Sequence, residues 1–286
     1  MLEFIMRCRY VLLLSCLLLL LNPAARADEA KATEGLIETF HAVPLKRGSV
    51  LNILVDKRKG EMPTTAILLF PGYPGVLNLK NVGGNITYDL SGNFVIRARR
   101  FLNNDSNFTV MVDCPMDKLS SCDDRYRSSA EQAADVSDVI AAVRKEFGAQ
   151  KVYILGTSYG TVSSSFLARN LSGQIDGAIH TSTFTDPTGS NTHGAVMASF
   201  DWAQAKVPQL FVHNKDDPCH VTRYSSIVER KKNIPLITVE GSKNPRGDAC
   251  EAFSPHGFVG REKAVMSAIN EWITHRKVAP TISTDS

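Results

Sequence analysis

The sequence predicts an α/β chain, a mostly parallel central sheet with helices on both faces. Three observations carry that expectation. Continuous apolar runs such as Ala66-Ile67-Leu68-Leu69-Phe70 read as strands buried on both faces. Stretches with apolar residues at three- and four-residue steps alternate with those runs, which is the order of βαβ units. Neither a linker nor an internal repeat breaks the alternation, so residues 28–286 read as one domain, and an apolar content of 43% is ample for its core.

The amino-terminal 27 residues stand apart. Arg7 and Arg9 precede an apolar stretch at 10–21, and Ala25-Arg26-Ala27 places small residues at a cleavage point; together these describe a secretory signal peptide, residues 1–27. The apolar stretch is shorter than the ~20 residues of a membrane span. The expected destination is periplasmic or secreted, with no membrane span after cleavage. Removing the segment takes away Arg7, Arg9, Arg26 and Glu3, so the formal charge falls from +3 to +1. Such a balance offers no steering field for an anionic partner, and no basic tract points to nucleic acid. Cys8 and Cys16 leave as well. The four that remain, Cys114, Cys122, Cys219 and Cys250, suggest two disulfides in an exported chain and allow three connectivities.

Along the chain, residues 28–49 read as a polar lead-in from which Phe40, Val43 and Leu45 dock on the body. Strands are expected at 50–55, 66–70, 108–112, 152–155, 175–181, 210–213 and 236–239. The segment 76–93, rich in Gly and Asn, reads as a loop. Residues 94–102 have helical spacing, with Arg97, Arg99 and Arg100 as a solvated face. The strongest helix is 128–147, where Ala133, Val136, Val139, Ile140, Val143 and Phe147 share one side and Gly148 supplies the stop. Further helices are expected from the glycine-rich turn at 156–160 to about 171, at 222–232, and at 261–276 with Val265, Ile269, Trp272 and Ile273 inward. Residues 183–205 read as loop and short helix.

Four motifs carry chemistry. Gly156-Thr157-Ser158-Tyr159-Gly160 lies between a strand and a helix, where a Gly-x-Ser-x-Gly turn projects its serine. Pro71-Gly72-Tyr73-Pro74-Gly75 follows an earlier strand directly. His213-Asn214-Lys215-Asp216-Asp217-Pro218-Cys219 closes a later one, and Ser254-Pro255-His256-Gly257-Phe258 precedes the last helix. In this order and context they resemble the α/β-hydrolases, over most of residues 50–276.

The resemblance implies an α/β-hydrolase fold and a catalytic triad. Ser158 takes the place of the nucleophile, which needs an adjacent base. His256 takes that of the base, and Asp217 that of the acid orienting it, with Asp216 as the neighbouring alternative. His213 matches a structural position near the acid, and His41, His180, His193, His220 and His275 match no motif. The oxyanion hole falls to the backbone N–H groups of Tyr73 and Tyr159, since Pro71 and Pro74 have none. Pro71-Gly72 stands where the family has His-Gly, and Asn214 where it often has glycine. The preferred disulfides are then Cys114–Cys122 and Cys219–Cys250, because Cys219 lies two residues after Asp217 and Cys250 six before His256. Such a bond would tie the acid loop to the base loop. Only about 26 residues separate the strands at 175–181 and 208–213, so little or no cap and an open site are expected.

The function implied is that of an exported serine hydrolase, cleaving a carboxylic ester or related acyl bond through an acyl-enzyme, without cofactor or metal. The partner is a small-molecule or acyl substrate, and oligomeric state stays open. An acyltransferase using the same groups, or a non-catalytic binding protein on the same fold, are the alternatives. Formal glycosylation sequences begin at Asn85, Asn104, Asn107 and Asn170.

Overall fold

The computed structural model describes residues 33–186 and 193–283. The expected signal peptide, with Cys8 and Cys16, lies outside them. In chain order the described strands are β1 (Leu36–Pro44), β2 (Val50–Arg58), β3 (Thr65–Phe70), β4 (Lys80–Val82), β5 (Asn85–Thr87), β6 (Asn107–Val112), β7 (Lys151–Thr157), β8 (Gly177–Thr181), β9 (Gln209–Asn214), β10 (Leu236–Val239) and β11 (Thr281–Ile282). The helices are α1 (Phe94–Arg97), α2 (Asp124–Arg127), α3 (Ala130–Phe147), α4 (Gly160–Asn170), α5 (Tyr224–Arg230) and α6 (Glu262–His275).

Nine strands form one sheet in the order β1-β2-β6-β3-β7-β8-β9-β10-β11. β1 and β2 pair antiparallel, β2 runs antiparallel to β6, and every pair from β6 to β11 is parallel. Alternation along the strands builds two cores. Ile67, Leu69, Tyr153, Leu155 and Ile179 face α6, meeting Val265, Ile269 and Trp272. Ala66, Leu68, Val110, Val152 and Ile154 face α3, meeting Val136, Val139, Ile140 and Val143. Every residue of β3 and β6 is buried, as expected of the apolar run 66–70 in β3, while β6 buries Asn107 and Thr109 bonded to Asn270 and Asn103. The expected fold class is the one observed.

The ends of α3 follow from two residues. The Ser129 hydroxyl accepts the Gln132 N–H at the start, and Gly148 adopts φ 77° at the stop.

The structure corrects three readings. Residues 36–44 form the edge strand β1 rather than a polar lead-in; only part of that strand is buried, so no continuous apolar run announced it. The 76–93 segment contains a small hairpin of β4 and β5. The arginines are not a solvated face. Arg99 is fully buried, its Nε 2.8 Å from Asp56 Oδ2 and its Nη2 2.7 Å from Glu38 Oε1. Arg97 donates to the carbonyls of Gly92 and Gly257 and pairs with Glu262. The carboxylates come from strands and a helix distant in sequence, which local spacing does not reveal. Asn107, in one glycosylation sequence, is buried and bonded to Asn270.

Candidate active site

The carboxyl ends of the parallel strands β3, β7, β8 and β9 carry the loops that meet here. Ser158 follows β7 directly and has φ 51°, a left-handed conformation uncommon for serine. Its N–H donates to the Thr181 carbonyl, and the Ser158 carbonyl accepts the Thr161 hydroxyl. The two flanking glycines are steric necessities. A Cβ on Gly160 would overlap the Phe70 carbonyl oxygen, and one on Gly156 would overlap the Gly160 carbonyl oxygen. The elbow is thus wedged between β3 and the start of α4.

The turn after β3 packs against that elbow. A Cβ on Gly72 would stand 3.2 Å from Ser158 Cβ and 3.2 Å from Asn93 Nδ2, so the backbone there passes close beside the serine. The N–H groups of Tyr73 and Tyr159 have no hydrogen-bond acceptor among the described residues. Tyr159 is buried, its hydroxyl donating to Asp124 Oδ1, while the Tyr73 side chain is exposed. The Asp124 carboxylate also accepts the Gly194 N–H and so fixes the segment that runs over Tyr159.

His256 Nδ1 lies 2.9 Å from Asp217 Oδ2, and both side chains are buried. Asp217 accepts two further bonds, from the Cys219 N–H to Oδ1 and from the Thr222 hydroxyl to Oδ2, each at 2.9 Å. Asp216 faces elsewhere: its carboxylate accepts the Gly241 N–H. Of the two neighbouring acids, Asp217 is therefore the one in contact with the histidine. The His256 loop is anchored twice, by the Ser182 hydroxyl donating to the His256 carbonyl at 2.7 Å and by Arg97 on Gly257. Ser158 and His256 line one cavity without a hydrogen bond between their side chains, a separation common before substrate draws such groups together.

Cys114 is bonded to Cys122 and Cys219 to Cys250, the connectivity preferred above. The second bond joins the loop of Asp217 to the loop of His256. Two other histidines are structural. His213 Nε2 accepts the Thr183 N–H, and burial pushes its pKa down to about 3. His180 sits between Ser164 and Gln209, and burial pushes its pKa down to about 4. Both are therefore neutral at pH 7.

The cavity around Ser158 has a volume of about 690 Å³ and is bounded by Phe94, Phe184, Leu90 and Val221 on its apolar side. His193, His220, Asn93 and Glu251 supply its polar rim. His193 and His220 lay outside every sequence motif and would not be found from the sequence. Ser182 acts on His256 from the end of another strand, and Thr222 lies five residues from Asp217 in the same loop; no sequence motif marks either. Between β8 and β9 the described residues form two one-turn 3₁₀ helices, Ala195–Met197 and Trp202–Gln204.

The family model described as serine aminopeptidase, S33, matches residues 124–245, a span that includes Ser158 and Asp217 and ends before His256. Among solved structures, XC6422 from Xanthomonas campestris, a serine hydrolase without a lid, aligns with a TM-score of 0.56 at 13% identity, over 85% of this chain and 96% of its own. Est1E from Butyrivibrio proteoclasticus aligns with a TM-score of 0.55 at 17% identity, over 82% and 97%. A cold-adapted esterase from an Arctic intertidal metagenomic library aligns with a TM-score of 0.54 at 14% identity, over 83% and 94%. No curated protein matches the sequence.

Proposed function

We propose that this chain, whose fold is similar to that of α/β serine hydrolases and of which residues 124–245 match the serine aminopeptidase, S33, family model, is an exported serine esterase whose triad is Ser158, His256 and Asp217. The observation that carries the reading is the buried Asp217–His256 pair beside a serine held at positive φ in the same cavity. Asp217 keeps the proton of His256 on Nδ1, leaving Nε2 free as an acceptor. His256 takes the Ser158 proton as Oγ attacks the ester carbonyl, and the tetrahedral oxyanion is received by the N–H groups of Tyr73 and Tyr159. The imidazolium returns its proton to the departing alcohol, leaving an acyl-serine. Water, deprotonated by the same histidine, then releases the acid.

An open, largely apolar cavity favours a carboxylic ester with an apolar or aromatic acyl group. Est1E, one of the similar structures, has been solved with ferulic acid bound, an aromatic acid of that kind. Two disulfides support an oxidising destination. No helix among the described residues is long and apolar enough to cross a membrane.

The test is hydrolysis of a p-nitrophenyl ester series of rising acyl length, wild type against Ser158→Ala. Turnover that disappears in the folded variant supports the reading, and equal turnover in both overturns it. Added alcohols separate the acyltransferase alternative: transfer products exceeding free acid would replace hydrolysis by acyl transfer.

A further inference from the structure

Arg127 closes α2 and is 1% exposed. A buried guanidinium ordinarily faces a carboxylate, because an unpaired buried charge is costly. Arg127 makes no ion pair among the described residues, and burial lowers its pKa. Its donors go to neutral acceptors instead. Nε donates to the Cys122 carbonyl at 2.9 Å, Nη1 to the Ser163 hydroxyl at 3.0 Å, and Nη2 to the Gly75 carbonyl at 3.0 Å. The guanidinium carbon stands 4.8 Å from the centre of the Tyr159 ring, within cation–π range.

These partners are not a random sample of the core. Gly75 ends the turn that carries Tyr73, and Tyr159 follows the nucleophile directly. Ser163 lies in the first turn of α4, which starts at the elbow, and its hydroxyl also accepts from Gln132 of α3. One rigid, planar cation therefore holds both backbone segments assigned to the oxyanion hole. The Cys114–Cys122 bond holds the loop from which it reaches, through the Cys122 carbonyl.

The geometry points to Arg127 as the positioning residue of the oxyanion hole. Resting on the esterase reading above, this adds what keeps the two donors convergent. The fork geometry of arginine spans the Gly75 carbonyl, the Ser163 hydroxyl and the Tyr159 face at once, and a lysine ammonium on a flexible stem cannot. Loss of Arg127 frees the 71–75 turn to drift from Tyr159. The effect falls on the transition state, where the negative charge develops, more than on the bound ester.

Arg127→Met and Arg127→Lys test this, with kcat and KM on a p-nitrophenyl ester and the inhibition constant of a trifluoromethyl ketone, which mimics the oxyanion. Folding is checked by circular dichroism. The expected result is a kcat lower by about 10²-fold in Arg127→Met, in the range seen when one oxyanion donor is removed, with KM within about twofold. Ketone affinity falls in parallel, and Arg127→Lys recovers less than tenfold. Folded variants with unchanged kcat, or with KM raised and kcat intact, would overturn the proposal. So would both variants failing to fold, which would assign Arg127 to the core alone. A folded wild type inactive on every ester would sink the esterase reading itself, a different outcome from an active wild type indifferent to Arg127.

Discussion

Removing the Cys219–Cys250 bond should separate activity from stability. The bond spans 31 residues, and closing a loop of that length contributes about 3.5 kcal/mol in the chain-entropy treatment. At about 2.1 cal/mol/K of unfolding entropy per residue, a folded body of this size should lose about 7 °C in Tm. The activity cost has another origin. The Cys219 N–H holds Asp217 Oδ1, and Cys250 lines the cavity near His256. Without the bond the acid and base loops move independently, and a drift of ~1 Å can cost up to about 10²-fold in rate. The double variant Cys219→Ala/Cys250→Ala should therefore lose about tenfold or more in kcat/KM at 25 °C, while its near-UV circular dichroism remains native. Reductant titration of the wild type should show activity falling before the near-UV signal. Activity and near-UV signal lost together, or a lower Tm with kcat/KM unchanged, would refute the bracing argument.

Other expectations follow from the same contacts. Asp217→Asn should lower kcat by roughly 10²–10⁴-fold, whereas Asp216→Asn, which touches Gly241 rather than His256, should stay within about threefold; steady-state kinetics on one ester decide between them. Thr222→Val removes a donor to Asp217 inside a buried pair and should cost about 1–2 kcal/mol in kcat/KM, measured with Tm as a folding control. Gly160→Ala should yield little folded protein, because the new Cβ meets the Phe70 carbonyl rather than a movable side chain. Acid should destabilise the fold through His180 and His213. Their folded pKa values, about 4 and about 3, lie below the ~6.5 of an unfolded histidine. The unfolded state thus takes up protons first. Their contribution is fully present above about pH 6.5 and is lost as pH falls toward 4, by up to about 1.4 kcal/mol per pH unit for each. Urea unfolding between pH 7 and 4.5 measures that slope, and His180→Gln should reduce it.

The parallel core was legible in the sequence because β3 and β7 contain the continuous buried apolar runs 66–70 and 152–155. Strand β1 was not, since an edge strand needs apolar residues on only part of its length. The glycines around Ser158 could be recognised because their absence of side chains is itself the local requirement. Arg97 and Arg99 were misread as solvated because their partners Glu262 and Asp56 are remote in sequence. The same limit hid Ser182 and Arg127, whose partners His256 and Gly75 lie far along the chain. Residues that contribute their own chemistry left motifs, and residues that position others did not.

The central claim is that Ser158 is a nucleophile activated by His256. Labelling with a fluorophosphonate probe, followed by peptide mass spectrometry, addresses it most directly. The account predicts one stoichiometric adduct on Ser158 in the folded wild type and none in Ser158→Ala. No adduct on the wild type, or an adduct that persists in Ser158→Ala, would contradict it.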